Sequence, residues 1–455
     1  MQWIRHYWEA LRTSYWFVPA VMTALAAVLA IFAVRADENI QEHWLIKADW
    51  IYTGSAEGAR QLLAAVAGSM ITVAGVVFSI NVVALSMASS QFGPRLLRNF
   101  MRDRGNQIVL GTFIATFVYC LLVLRTVRGQ EGSIFVPHLA VTGAVLLALA
   151  SVGVLIYFIH HAAVSVQAPV VVANVGRELQ ESIDTLFPEN LGDAPHEAEP
   201  DCDDVIPENF ETEARPVPAG SDGYLQVIDD KKLMELAAEH ELLIRVVHRP
   251  GHFVIECGPL ALVWPAPDDE MIQRIRDCFA IGAQPTPTQD AEYVINQLVE
   301  VAVRALSPGI NDPFTATACI DRLGAALARL GGRKIPSPFR YEDQGRLRII
   351  AYPLTFADMA DAAFRQIRQN GRSHAAVLIR MLETFAVVWK HARRPEDKAA
   401  LLSHAALVRQ CADDLPQAAD RNDVYARCEA IRRLDGESTA TGMAVHSETS
   451  STQLT

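Results

Sequence analysis

Six residues between Gly68 and Ser89 are of a type that can bring polar chemistry into a membrane. On a helix, Gly68, Thr72, Gly75, Ser79, Val82, Ser86 and Ser89 fall at alternating spacings of four and three and so share one face. Six of the seven are Gly, Ser or Thr, inside a stretch from Ala64 to Ser90 that carries no charge. Leu, Ile, Val, Met and Phe fill most of the remaining surface. A plain anchor has no use for such a face. It lets helix backbones approach closely, or it lets water touch the helix inside the bilayer. Tight packing and the lining of a polar path both remain open.

Two later stretches also gather polar residues. Phe279 to Tyr293 contains Asp290 and Glu292, and Ala305 to Thr315 contains Ser307, Asn311 and Asp312. The predicted helix between them is about 14 residues, some 20 Å, so Asp290 and Asp312 lie at its opposite ends and do not meet at one metal. Ser307-Pro308-Gly309-Ile310-Asn311-Asp312-Pro313 sets rigid turn formers against a helix start. That arrangement serves as a capped turn between core helices, or as a loop that docks a ligand or partner. His160 and His161 point about 100° apart on a helix, and they read as residues ending a membrane span at the interface. His138 reads as an interface residue at the opposite end of that span. His248 and His252 flank a Pro-Gly turn without further ligands in sequence. Seven cysteines lack any CxxC spacing, which suits a reducing compartment with idle thiols. With no P-loop, nucleophile elbow or dinucleotide fingerprint, no catalytic residue, metal or cofactor is expected.

The segment Gln91 to Arg102 alternates apolar and cationic residues at helical spacing. Arg95, Arg98 and Arg102 are expected on an interfacial helix against anionic headgroups, or coupling the membrane part to the rest.

Four apolar segments carry these features: Trp16 to Val34, Ala64 to Ser90, Ile108 to Leu124 and Ile134 to Ile159. None holds an internal Lys, Arg, Asp or Glu, and each is long enough to cross a hydrocarbon core of roughly 30 Å. The first has no small-residue cleavage site after a short core, so it reads as a retained span. Arginines crowd the N-terminal segment (Arg5, Arg12) and the loop Arg95 to Arg104, while the segment between the first two spans is mixed. The bias places both termini in the cytoplasm, with Trp3, Tyr7, Trp8, Tyr15 and Trp16 as an aromatic belt.

Beyond about residue 165 the chain is long enough for its own cores. Glu189 to Arg215 holds ten acidic residues and one basic, with prolines in and beside the run. It reads as a disordered linker within 166–222, following a connecting helix. It accounts for most of the formal charge of −12, so the folded parts are near neutral and no nucleic-acid partner is expected. Residues 223–267 show short strand-like runs around one helix, a small α+β module. From 268 to 435 apolar residues recur at three and four, as at Tyr293, Ile295, Leu298, Val301, Ala302 and Ala305, predicting a helical domain. Residues 436–455 read as a patternless tail. The fold class expected is an α-helical membrane protein with four transmembrane helices, spanning 1–165. A cytoplasmic α+β C-terminal region follows, mostly helical after its strand-rich module.

Three segments then carry a resemblance: Ser86 to Asp103, Gln289-Asp-Ala-Glu-Tyr293, and Arg304-Ala-Leu-Ser-Pro-Gly-Ile-Asn-Asp-Pro-Phe-Thr-Ala316. The chain resembles, nearly throughout to about Leu434, a family of predicted bacterial integral membrane proteins that is a domain of unknown function. The resemblance implies a bacterial inner-membrane protein with a cytoplasmic C-terminal region, and it transfers no activity. Two function classes are expected. In one, subunits assemble as a homo-oligomer whose seam helices surround a path for ions or small solutes, gated by the cytoplasmic domain. In the other, the membrane part anchors a sensor or scaffold whose loop at Ser307 to Asp312 meets a ligand or cytoplasmic protein.

Overall fold

The computed structural model describes residues 16–39, 52–96, 100–101, 103–130, 133–187 and 206–451. Two units emerge, Met1–Val171 and Val172–Thr455.

In the first unit, helices α1 (Phe17–Asn39), α2 (Ala56–Phe92), α3 (Arg104–Thr126) and α4 (His138–Ser165) are each long and apolar enough to cross a membrane. A short hairpin, β1 (Arg128–Gln130) and β2 (Ser133–Phe135), joins the last two. Helix α3 is the hub, packing on α1, α2 and α4. Its centre is filled rather than open: Phe113, Tyr119 and the facing Phe158 of α4 are each 1% exposed. Thr116 and Ser151 bond to each other there, and the Tyr119 hydroxyl donates to the Ala140 carbonyl. Asp37, near the end of α1, accepts from the Leu139 and Ala140 amides at the start of α4. A carboxylate there satisfies orphan donors at a helix N-terminus.

The second unit begins within α5 (Ala168–Leu186), whose apolar stripe Val172, Val175, Leu179 and Ile183 is buried. After α6 (Phe210–Glu213) come β3 (Arg215–Pro218), β4 (Gly223–Ile228), α7 (Asp230–Glu239), β5 (Leu243–Val246), β6 (Phe253–Val254) and β7 (Pro259–Trp264). Helix α8 (Asp269–Arg276) and β8 (Phe279–Gly282) lead to the helices α9 (Ala291–Ala305) and α10 (Pro313–Gly331). Strands β9 (Phe339–Tyr341) and β10 (Leu347–Ile350) precede α11 (Phe356–Gly371), α12 (Ala375–His391), α13 (Pro395–Ala412) and α14 (Ala418–Ser451). One sheet runs β3-β7-β5-β10-β9 and a second runs β6-β4-β8. All pairs are antiparallel except β5 with β10. A core of Leu225, Leu233, Ile244, Leu260 and Ile275 joins the strands to α7 and α8. In the helical layer α9 packs on α10 and α11, and Phe364 meets Phe385 edge to face at 4.8 Å.

Several expectations need correction. The strand module starts at Arg215, not 223, and its sheet borrows β9 and β10 from the region expected to be mostly helical. Phe210 and Val217 supply the apolar anchors, both 0% exposed. Pro216 and Pro218 are tolerated because β3 is an edge strand, where a missing N–H leaves no ladder partner unmet. Strands of three or four residues carry too few positions for a period to show. Where a patternless tail was expected after Gly436, α14 continues to Ser451. No proline follows Pro416, so nothing interrupts the helical hydrogen-bond ladder. Helix α4 likewise runs past His160 and His161 to Ser165. Of the expected interfacial helix at Gln91–Arg102, residues 91–92 end α2, Gly93 leads into a 3-10 turn Pro94–Leu96 carrying exposed Arg95, Phe100 and Met101 are helical, and 97–99 and 102 lie outside the described residues. Arg98 and Arg102 lie outside the described residues, as do Trp3, Tyr7, Trp8, Tyr15 and Cys202.

Candidate functional site

The seam of α2 is built on a helix started by Ser55, whose hydroxyl accepts from the Gly58 amide. The stripe that packs on the rest of the bundle is Ala59, Leu63, Ala67, Met70, Ala74 and Val77. The polar seam lies about 140° around the axis from it, counting 100° per residue. Accordingly Gly68, Thr72, Gly75, Ser79, Val82 and Ser86 are all exposed, and Ser89 is half-buried. Among the described residues, no neighbouring helix of the same chain covers the seam. A Cβ placed at Gly68 or Gly75 meets nothing within 4 Å. Thr72 and Ser79 donate their hydroxyls to the Gly68 and Gly75 carbonyls one turn back, at 2.8 and 2.9 Å. This back-bonding satisfies the hydroxyl protons while leaving the oxygens able to accept from water or a solute. At 37 residues α2 extends about 55 Å, well beyond a hydrocarbon core of roughly 30 Å. Its second half carries exposed Phe78, Ile80, Val82, Val83 and Met87.

The two C-terminal candidate groups separate. Asp290 and Asp312 cap the starts of α9 and α10, at opposite ends of the 15-residue α9. Asp312 accepts from the Phe314 and Thr315 amides and the Thr315 hydroxyl. Ser307 donates to the Arg304 carbonyl, and Asn311, at φ 50°, accepts from His374 Nε2 at 2.9 Å. The loop is thus a closed, capped turn with exposed Ile310 and Phe314 beside it.

Asp290 and Glu292 instead line a cleft of about 330 Å³ that the sequence did not reveal. Its walls come from six segments: the end of α5 with Phe187, Ile228 at the end of β4, residues 246–252 at and after the end of β5, 289–292, 336–340, and 351–354. Gly251, at φ +94°, is required: a Cβ there would overlap the Asp290 carboxylate. Asp290 accepts from the Tyr293 amide at 3.1 Å, and burial pushes its carboxyl up to about 6. His248 and His252 sit edge to face at 5.9 Å. Burial, aided by the charge of Arg249, holds His252 below the usual histidine range. Arg249 anchors the turn by pairing with Asp358 at 3.0 Å and donating to the Pro353 carbonyl. Among the described residues no three His, Cys, Asp or Glu side chains are grouped to hold a metal.

Comparison with known proteins fixes what kind of molecule carries these features. Residues 12–387 match the family model described as predicted membrane protein, DUF2254. The chain belongs to that family. An uncharacterized protein of Mycobacterium bovis and two of Mycobacterium tuberculosis strains are each 33% identical over 442 residues, covering 93% of this chain and 82% of theirs. No solved structure matches. This DUF2254 chain is thus a membrane protein with four N-terminal apolar helices and a C-terminal region of helices and sheets.

Proposed function

We propose that this DUF2254 protein is a homo-oligomeric channel or transporter for ions or small solutes in the bacterial inner membrane. Both termini are cytoplasmic in this reading, the second unit acts as the gate, and no catalysis is involved. The observation that carries it is the direction of the α2 seam. Hydroxyls and glycines turned away from their own bundle meet either lipid, which rewards neither, or another copy of the same face. The centre of the single bundle is filled by Phe113, Tyr119 and Phe158, so a path between subunits accommodates solute better than one within a subunit. The excess length of α2 over a bilayer also favours association, one of the ways a long span relieves mismatch.

In proteoliposomes, the wild-type protein is expected to pass at least one of potassium, sodium, chloride or a small neutral solute. Ser79→Leu and Ser86→Leu should change that flux at least tenfold. Gly75→Leu should shift the assembly toward monomer in mild detergent. A folded wild-type protein that stays monomeric and passes none of these solutes rules the reading out. A second reading, a membrane anchor for a docking module, draws on the exposed Phe314, 84% accessible beside the Ser307–Asp312 turn. It predicts that Phe314→Ser abolishes capture of a cytoplasmic partner without altering flux.

A further inference from the structure

We propose that the cleft of the second unit binds a small amphoteric molecule of the amino-acid class, with an acid group on Arg340 and an ammonium group toward Asp290 and Glu292. The site is independent of the transport reading and stands if that reading fails.

The charges lining the cleft do not close on themselves. Arg249 is already paired with Asp358. Arg340, half-buried on β9, donates to the Ser337 carbonyl and forms no ion pair among the described residues. Burial pulls its guanidinium below the usual range, with only Asp230 opposing at a distance. A desolvated guanidinium without a carboxylate is unfavourable, and a planar acid group meets its fork of donors bidentately. Asp290, 9% exposed, and half-buried Glu292 present two carboxylates to the same cleft, and neither pairs with Arg340.

Single-sign ligands fit poorly. A simple anion drawn to Arg340 enters a cleft that already holds two carboxylates, and a simple cation enters one that holds an unpaired guanidinium. A molecule bearing both charges offsets both. Beside the polar His248, His252 and Gln289, the lining includes apolar Ile228, Val246 and Ala351, with Tyr352 60% exposed. That is a place for a side chain, and about 330 Å³ is within the size of small-molecule sites.

The cleft also touches the start of the unit. Leu186 and Phe187, the end of α5, form part of its wall, and α5 follows α4 after two residues. Occupancy would bear directly on the segment that continues the fourth membrane helix. Only this coupling step rests on the transport reading.

The test is calorimetric titration and thermal shift on the full-length protein in mild detergent, using the twenty proteinogenic amino acids, with acetate and methylammonium as single-charge probes. At least one amino acid is expected to bind saturably, and to lose tenfold or more in affinity with Arg340→Gln and with Glu292→Gln. The single-charge probes should not bind at the same concentration. If Arg340→Gln fails to fold, Glu292→Gln decides alone. The proposal is overturned if no amino acid binds the folded wild type, if the single-charge probes bind as well, or if binding is indifferent to the substitutions. Binding without any flux in liposomes leaves the site standing and removes only its role as a gate stimulus.

Discussion

The seam of α2 and the cleft of the second unit hold polar groups under opposite conditions. On α2 the Thr72 and Ser79 hydroxyls are bonded to their own helix and face outward, so the polarity costs the monomer little and nothing inside the bundle depends on it. In the cleft, Asp290 and Arg340 are withdrawn from water beside neighbours that only partly offset them. A surface of the first kind is made for something outside the chain. One of the second kind stores unfavourable electrostatics until something enters. Substitutions should therefore be quiet for folding on the seam and loud around the cleft.

The largest effect is expected at Arg333, which supports the cleft wall from behind. It is 8% exposed and donates to the Ile183 and Phe187 carbonyls while pairing with Asp184. Arg333→Ala removes a buried donor from two helix-end carbonyls, while Asp184 keeps Arg329 at 2.7 Å, and should destabilise the second unit by about 2–4 kcal/mol. Chemical denaturation monitored on the full chain would show it, whereas Ser79→Ala should fall within about 0.5 kcal/mol.

Next is the pH response of Asp290. Its carboxyl is raised from 3.8 to about 6 in the folded protein. The folded state then holds the proton more tightly than the unfolded chain. The associated stability is fully present below pH 3.8 and is lost as pH rises through about 6. The full swing is on the order of 3 kcal/mol. Asp290→Asn keeps a good helix cap and should flatten this dependence, giving a variant at least as stable as wild type at pH 8. Stability curves at pH 5 and pH 8 that remain as steep in the variant would break the account of the cleft.

The smallest effect separates cap from docking site. Asp312→Ala should cost about 1 kcal/mol of stability and Asp312→Asn only a few tenths, the pattern of an N-cap. Loss of a cellular partner with no change in stability would instead mark the loop as a docking element.

What could be read from sequence follows the same division. The seam sits on one helix, so spacing alone exposes it, and Asp312-Pro313 declares a helix start through two adjacent residues. The direction of the seam was not readable. It depends on which face of α2 meets α3, and a helix that is apolar nearly all round gives no sign of that. The cleft was hidden for another reason. Arg340 and Asp290 are fifty residues apart in sequence, and strand β10 joins β5 in parallel from about a hundred residues downstream. Asp290 and Glu292 stood out as polar residues, but their surroundings were set by Gly251 and Phe187, which carry no chemical signal of their own. The buried Phe210 was masked by the acidic run around it, whose average charge says nothing about one anchoring side chain.

The account turns most on whether the α2 seam meets water in the assembled protein. Single cysteines at Thr72, Ser79 and Ser86, in a background with the exposed Cys257 replaced by serine, can be challenged with a membrane-impermeant thiol reagent in intact vesicles. A lined path predicts labelling of all three seam positions and none at Met70 or Val77 on the packed face. Unreactive cysteines along the whole seam, in protein shown to be folded and inserted, would contradict it.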